Sequence, residues 1–146
     1  MGAAIARPGQ PVAVFTGDGA LGFNIQEFDA MVRHELPIVT IVFNNACWAI
    51  SRTGQDIVFG ENRRSIVALA NTRYDQVAVA FGGEGETVDR YEQIAPAIER
   101  ALASGRPTCL NLIVDPEVVN PAIAAMVGDP TVPDQIMIPY YENIPL

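Results

Sequence analysis

The sequence is short of basic residues, histidine, cysteine and long apolar runs, and each shortage excludes a class of protein. Nine Lys and Arg residues accompany seventeen Asp and Glu residues, and the net charge is −8. Without a basic stripe to neutralise phosphates, the chain is not expected to bind nucleic acid. No apolar run approaches the roughly eighteen residues of a membrane span, and the amino terminus lacks the pattern of a signal peptide. We therefore expect a chain that works in the cytoplasm, without a membrane partner.

Histidine and cysteine are too few to support the commonest metal and nucleophile sites. His34 is the one histidine, and no Cys or Asp lies at ligand spacing from it, so a zinc site is not indicated. We expect His34 in the last turn of a helix, where a cation interacts favourably with the helix dipole. Cys47 and Cys109 are expected to be free thiols in a reducing compartment. Cys47 has no visible base partner that would make it a nucleophile.

The 146 residues are enough for one domain with a substantial core, and 49% of them are hydrophobic. Apolar and β-branched runs predict parallel strands at Val12–Phe15, Ile38–Phe43, Glu86–Val88 and Thr108–Val114. Helical spacing predicts helices at Ala3–Ala6, Leu21–Glu35, Asp75–Phe81 and Tyr91–Ala103, the last capped by Asp89. This alternation predicts an α/β fold, an open parallel sheet with helices on both faces.

Polar residues follow the first two predicted strands, at the point where each strand ends. Gly17-Asp18-Gly19 comes after the first strand, and Asn44-Asn45 closes the second. Open parallel sheets bind ligands at the carboxyl ends of their strands, and the glycines allow a ligand to approach the backbone closely. A carboxylate beside a bound phosphate is unfavourable unless a cation lies between them. Because Mg²⁺ prefers hard oxygen ligands, the pattern predicts a diphosphate site bridged by magnesium.

The same glycines permit a second interpretation. Gly17-x-Gly19-x-x-Gly22 matches the dinucleotide-binding fingerprint between a strand and a helix. That fingerprint expects an acidic residue near the end of the second strand to bind the ribose, whereas this strand ends in two asparagines. A dinucleotide-binding oxidoreductase domain stays open as an alternative, as does a non-catalytic subunit that kept the fold.

Residues 3–116 resemble the decarboxylase-like group of thiamine diphosphate enzymes, which includes acetolactate synthase, benzaldehyde lyase and 2-hydroxyacyl-CoA lyase. Residues 20–43, twenty-four in number, separate Gly17-Asp18-Gly19 from Asn44-Asn45, and the segments LPIVTIVFNN, AVAFGGEGETVD and RPTCLNLIVDP fit the same family. The resemblance implies the thiamin diphosphate-binding fold, incomplete at the amino terminus because the chain begins inside a helix of that domain. It also implies that the chain is the carboxyl-terminal part of a larger enzyme.

The resemblance implies roles for residues at the two strand ends. Asp18 and Asn45 would ligate Mg²⁺ through their side chains, and Cys47 through its backbone carbonyl. Gly17 would form the turn, and Gly19 and Ala20 would meet the diphosphate through backbone N–H groups.

The segment after Asn45 is implied to line the active site. Trp48, Ala49 and Ile50 would lie nearest the diphosphate and the substrate, although Trp48 and Ile50 could equally be core residues. Ala46–Glu61 has no clean hydrophobic period, and Gln55 within it is a candidate substrate contact. The family's catalytic glutamate belongs to another domain, so no catalytic residue is expected in this chain.

The activity that the resemblance implies is that of a lyase or carboligase with thiamine diphosphate and Mg²⁺ as cofactors. Such enzymes cleave or form C–C bonds next to a carbonyl, with a 2-oxo acid, a 2-hydroxy ketone or a 2-hydroxyacyl-CoA as substrate. We expect the chain to be inactive alone. Activity would need a companion chain or domain that binds the aminopyrimidine ring, within an oligomer.

The composition changes after residue 116, which we take as the end of the cofactor-binding domain. Five prolines fall between Pro121 and Pro145, so residues 117–146 cannot form one regular element. The tail is nevertheless rich in apolar residues. We expect it to be a docking segment or a lid over the active site.

Overall fold

Four parallel strands in the order β1-β2-β4-β3 organise the described part of the chain. The computed structural model describes residues 1–118. The strands are β1 (Val12–Gly17), β2 (Ile38–Asn44), β3 (Glu84–Val88) and β4 (Thr108–Ile113). The helices are α1 (Gly2–Ala6), α2 (Asp18–Gly22), α3 (Glu27–Arg33), α4 (Ala49–Phe59), α5 (Tyr74–Ala80) and α6 (Tyr91–Ser104). A short 3₁₀ turn at Glu61–Arg63 follows α4.

The described residues form two structural units. The first consists of Met1–Ala46 and Ala70–Val114 and holds the whole sheet. The second consists of Cys47–Leu69 and the described residues from Asp115 onward. This second unit contains α4 and an isolated antiparallel bridge between Cys47 and Ala68.

The parallel register brings the ends of β1 and β2 to one edge of the sheet. Val12 pairs with Ile38, and Gly17 pairs with Phe43. On its other side β2 pairs with β4, which ends with Ile113 opposite Asn44. Because all strands run the same way, Asp18 and Asn45 follow adjacent strands at the same edge.

Each face of the sheet carries its own apolar core. Helix α6 covers one face, and this cluster consists of Val39, Ile41, Val88, Ala97, Ala101, Leu110 and Leu112. Helices α2, α3 and α5 cover the other face, and that cluster consists of Leu21, Phe28, Val42, Tyr74, Ala78 and Cys109. The prediction of a parallel α/β sheet with helices on both faces is confirmed.

Helix α6 shows how local sequence sets an element's ends. The Gln93 side-chain oxygen accepts from the backbone N–H groups of Asp89 at 3.1 Å and Arg90 at 3.3 Å, which otherwise have no partner within the helix. Gly105 ends the helix in the left-handed region, with φ of 64°. The residue at the cap is Arg90, so the prediction of an Asp89 cap was wrong: Asp89 lies one residue before the cap, and its backbone N–H donates to Gln93 Oε1.

The prediction of one long helix after β1 was wrong. The single helix expected over Leu21–Glu35 is divided into α2 and α3, because turns close between Leu21 and Asn24 and between Asn24 and Glu27. Ala46–Glu61, which shows no clean period in sequence, contains α4, eleven residues long, with Gly54 buried inside it. No helix within residues 1–118 is long and apolar enough to span a membrane.

Two aromatic side chains remain exposed on the sheet. Phe15 is 67% exposed and Phe43 is 44% exposed, and their rings stack with centroids 6.4 Å apart. Within residues 1–118, β1 pairs with β2 alone. Helix α6 packs over the neighbouring strands on the same face of the sheet and leaves the two phenylalanines beside it.

The predicted tail lies outside the described residues beyond Val118, so its role and the boundary after residue 116 stay predictions.

Candidate functional site

Asp18 lies at the carboxyl end of β1 and is the first residue of α2. It is 3% exposed, and its Oδ1 accepts a hydrogen bond from the Gly19 backbone N–H at 2.8 Å. A carboxylate is rarely so buried unless charged or polar groups compensate it. The edge of the sheet therefore carries one buried carboxylate at this point.

Tyr74, the first residue of α5, lies near this carboxylate. Burial raises the pKa of Tyr74, and the negative charge of Asp18 raises it further. The phenol oxygen would be 3.7 Å from a Cβ added at Gly22, so it closes over the end of α2. Tyr74 is thus a neutral, buried wall of the site at all ordinary pH values.

The two asparagines after β2 have different surroundings. Asn44 is 1% exposed, and its Nδ2 donates to the Thr72 carbonyl and to Asn111 Oδ1, both at 3.0 Å. Its Oδ1 accepts from the Ala46 N–H at 3.2 Å. Asn45 is only partly buried and follows the last residue of β2. The Asn44 amide is therefore fully used in hydrogen bonds within the chain, whereas Asn45 is the more accessible of the two.

The donor set at this edge fits a hard cation better than a soft one. In the part of the chain that the structure describes, no three His, Cys, Asp or Glu side chains cluster as a metal site. A cation here would be held by the Asp18 carboxylate with amide, backbone and ligand oxygens. Mg²⁺ is bound in this way, by one or two protein groups with phosphates and waters completing the octahedron.

The glycine turn leaves room for a ligand. A Cβ added at Gly17 would have no heavy atom within 4 Å, so open space adjoins the backbone there. Ala20 is exposed, whereas Gly19 is buried and its N–H is engaged by Asp18. A diphosphate contact to the Gly19 N–H would therefore replace or share that hydrogen bond.

Cys47, Trp48, Ala49 and Ile50 belong to the second unit. Cys47 is buried, and its carbonyl oxygen accepts from the Ala49 N–H at 2.9 Å. The Trp48 N–H donates to the Val67 carbonyl at 2.8 Å, and Ala49 begins α4. Ile50 is 71% exposed, which overturns the alternative that made it a core residue.

Three other side chains singled out in the sequence have ordinary partners or surroundings. Gln55 Nε2 donates to the Ser65 carbonyl and Gln55 Oε1 accepts from the Ser65 N–H, so its amide braces a loop. His34 is the exposed cap residue at the end of α3, as predicted. Cys109 is a buried free thiol, and burial raises its pKa to about 12, with a further contribution from the charge of Asp75.

Sequence reasoning missed a buried polar cluster beneath Asn44. Asn111 of β4 is fully buried, and its Nδ2 donates to Asp75 Oδ1 and to the Thr72 carbonyl, both at 3.5 Å. The Arg73 guanidinium donates two hydrogen bonds to the Asp75 carboxylate, at 3.0 and 2.7 Å. Burial alone would raise the pKa of Asp75, but Arg73 outweighs it and the pKa lies below its usual value. An asparagine within the apolar run CLNLIV is the signal that could have revealed this cluster.

A family comparison matches most of the described chain. The model for the thiamine pyrophosphate enzyme, C-terminal TPP binding domain, matches residues 1–112. This match favours the thiamine diphosphate interpretation of the glycine turn over the dinucleotide one.

Relatives and a solved structure agree with that match. The acetolactate synthase large subunit IlvG of Mycobacterium tuberculosis is 40% identical over 123 residues, covering 83% of this chain and 22% of the relative. The 2-hydroxyacyl-CoA lyase 2 of Caenorhabditis elegans is 38% identical over 109 residues, covering 75% and 16%. A thiamine diphosphate-dependent 4-hydroxybenzoylformate decarboxylase from Rhodococcus jostii shares the fold, with a TM-score of 0.72 and 23% identity, over 78% of this chain and 21% of that one. The chain thus spans about a fifth of the length of the relatives it matches.

Proposed function

Because the chain belongs to the thiamine pyrophosphate enzyme family, as its C-terminal cofactor-binding domain, we propose that it binds the diphosphate of thiamine diphosphate through Mg²⁺. Asp18 and Asn45 are the side-chain ligands in this proposal, and the backbone carbonyl of Cys47 is the third protein ligand. Gly19 and Ala20 contact the diphosphate through backbone N–H groups. Trp48, Ala49 and Ile50 line the cofactor and substrate side.

The observation that carries the proposal is the burial of Asp18 at the end of β1. A carboxylate that is 3% exposed would repel a diphosphate placed beside it. A divalent cation between the two makes the arrangement favourable, since it attracts both partners. Asn45, which follows the adjacent strand, adds a neutral oxygen without adding further negative charge.

In this proposal the chain's own residues anchor and orient, and they do not carry out the bond-breaking step. When bound, thiamine diphosphate supplies a carbon that attacks carbonyls and accommodates the charge left by C–C cleavage. Asp18 and Asn45 fix the diphosphate end, which sets the position of the reactive carbon relative to the substrate. Tyr74 stays neutral beside Asp18, so it adds no competing charge.

The whole enzyme is proposed to be a lyase or carboligase acting on C–C bonds next to a carbonyl. Relatives carry names as different as acetolactate synthase, 2-hydroxyacyl-CoA lyase and sulfoacetaldehyde acetyltransferase. These names support a carbonyl substrate, with 2-oxo acid, 2-hydroxy ketone and 2-hydroxyacyl-CoA as the candidate classes. Since the chain spans about a fifth of such relatives, we propose that activity needs a companion chain or domain that holds the aminopyrimidine ring, in an oligomer.

Calorimetric titration of thiamine diphosphate into the chain tests the proposal. It is run with Mg²⁺ and with EDTA, on the wild-type chain and on Asp18→Asn, which removes the charge but keeps the shape. Asp29→Asn is the matched control, because Asp29 is an exposed acid in the same unit and pairs with Arg33 four residues on.

Support would be binding that requires Mg²⁺, is weakened at least tenfold by Asp18→Asn and is unchanged by Asp29→Asn. A second titration with thiamine, which lacks the phosphates, should give no Mg²⁺-dependent binding. Equal binding by wild type and Asp18→Asn, or no binding by the wild-type chain, contradicts the proposal.

A further inference from the structure

Asn44 makes hydrogen bonds with every part of its side-chain amide. Its two N–H groups are used by the Thr72 carbonyl and Asn111 Oδ1, and its oxygen is used by the Ala46 N–H. An amide offers two donors and one acceptor oxygen, so Asn44 has both donors in use. Turning the Asn44 oxygen to a metal would break these contacts of a residue that is only 1% exposed.

Ala46, two residues further on, has an unusual backbone conformation. Its φ is +52°, in the left-handed region that a residue with a Cβ adopts only when its surroundings hold it there. The hydrogen bond from the Ala46 N–H to Asn44 Oδ1 is such a constraint, because an Asn side chain accepting from the second residue along stabilises a turn. Asn45 stands between these two residues, and its direction is therefore set by the turn.

Hydrogen bonds of Asn44 connect this turn to the interior of the sheet. Asn111 lies on β4 and Thr72 just before α5, so Asn44 connects three elements of the first unit. Asn111 reaches Asp75, which Arg73 holds from the surface side. A further backbone bond from the Val114 N–H to the Asn44 carbonyl fixes the main chain at the same point.

We propose that Asn44 is a positioning residue, which holds the Asn44–Ala46 turn against Thr72 and Asn111 so that the Asn45 amide is already aimed for a Mg²⁺ ion. The inference rests on the proposed function, and it gives the two asparagines of the pair separate tasks. Asn45 binds the cation, and Asn44 fixes the ligand's direction before the cation arrives. Groups that orient a metal ligand in this way typically contribute about 10- to 100-fold to metal affinity.

The test measures the Mg²⁺ concentration that half-saturates thiamine diphosphate binding, with thermal unfolding recorded for each variant. Asn44→Ala removes all three side-chain bonds. Val39→Ala is the matched control, since Val39 is a buried residue at the amino end of the same strand, away from the site. The double variant Asn44→Ala with Ala46→Gly tests rescue, because glycine adopts a positive φ without the help of Asn44.

The expected result is that Asn44→Ala raises half-saturating Mg²⁺ by about tenfold or more. Val39→Ala should lower thermal stability while leaving half-saturation within about twofold of wild type, and adding Ala46→Gly should recover part of the loss. A purely structural role for Asn44 predicts that Asn44→Ala lowers thermal stability without moving half-saturating Mg²⁺, as Val39→Ala does. If Asn44→Ala does not fold, Asn44→Ser takes its place, because a serine hydroxyl can still accept from the Ala46 N–H but cannot reach both Thr72 and Asn111.

Two failures are distinguishable in this design. Wild-type half-saturation in a folded Asn44 variant overturns the inference and leaves the proposed function intact. Absence of Mg²⁺-dependent binding in the wild-type chain overturns both.

Discussion

Gly85 of β3 lies directly against the backbone at the start of α5. A Cβ added there would be 2.6 Å from the carbonyl carbon of Asp75 and 2.8 Å from its Cα. Ordinary carbon–carbon contacts lie at roughly 3.5 Å, so Gly85→Ala requires the strand and the helix to separate by about 1 Å. The atoms in the way belong to the main chain and cannot rotate aside.

We expect Gly85→Ala to lower the free energy of unfolding by at least about 2 kcal/mol. Overpacking in a close-packed core typically costs about 1–3 kcal/mol, and the rigidity of the Asp75 main chain favours the upper part of that range. For a domain of this size such a loss lowers the melting temperature by at least about 6 °C. The displacement also moves Asp75 away from Asn111, so the polar cluster beneath the site should loosen.

Urea unfolding followed by circular dichroism measures this loss. Gly2→Ala is the control, because a Cβ at Gly2 meets no heavy atom within 4 Å and the residue lies in α1. Alanine favours a helix over glycine by about 0.5–1 kcal/mol, so this control should be neutral or slightly stabilising. A Gly85→Ala chain within about 0.5 kcal/mol of wild type would show that β3 and α5 do not pack as described.

Two further perturbations have outcomes that follow from burial. Burial raises the pKa of Cys109 to about 12. The unfolded thiol therefore ionises from about pH 9 while the folded one stays neutral, so the free energy of unfolding is unaffected below pH 9 and falls above it by about 1.4 kcal/mol per pH unit. Urea unfolding at pH 8, 9 and 10 should show this decline in wild type and a flatter profile in Cys109→Ala; parallel profiles would refute it. Phe28→Ala, at a side chain 1% exposed, should cost about 3–5 kcal/mol in the same assay at pH 8, whereas a loss under about 1 kcal/mol would mean that the α3 core is not packed.

The strands could be predicted from sequence because their signal is local. Val12–Phe15 and Ile38–Phe43 are short β-branched runs bounded by turn residues, and the observed β1 and β2 extend them by one or two residues. The helices beside the site were harder. One helix was expected over Leu21–Glu35, yet a turn between Phe23 and Phe28 leaves Phe23 71% exposed while Phe28 is buried. Hydrophobic periodicity does not reveal such a break, because turn bonds at Asn24 decide it.

The site was predictable in kind but not in detail. The sequence predicted that the polar residues after β1 and β2 meet at one edge of the sheet, and the parallel register of these strands places them there. The different surroundings of Asn44 and Asn45 could not be read from two identical side chains by spacing alone. The deciding partners, Thr72 and Asn111, are 28 and 67 residues from Asn44 in sequence, and only the folded sheet brings them together.

The strand order has a consequence for how the chain folds as it is synthesised. Strand β2 is central, yet its neighbour β4 starts at Thr108, which pairs with Val39 sixty-nine residues earlier (108 − 39). At about 5–20 residues per second, roughly 3–14 s pass between the synthesis of the two. During that interval one edge of the Ile- and Val-rich strand β2 has no β4 to pair with, and distant pairing of this kind slows folding. A chaperone that binds extended apolar segments would therefore meet its target at β2, and production of the chain should be most sensitive to chaperone supply while residues 45–107 are being added.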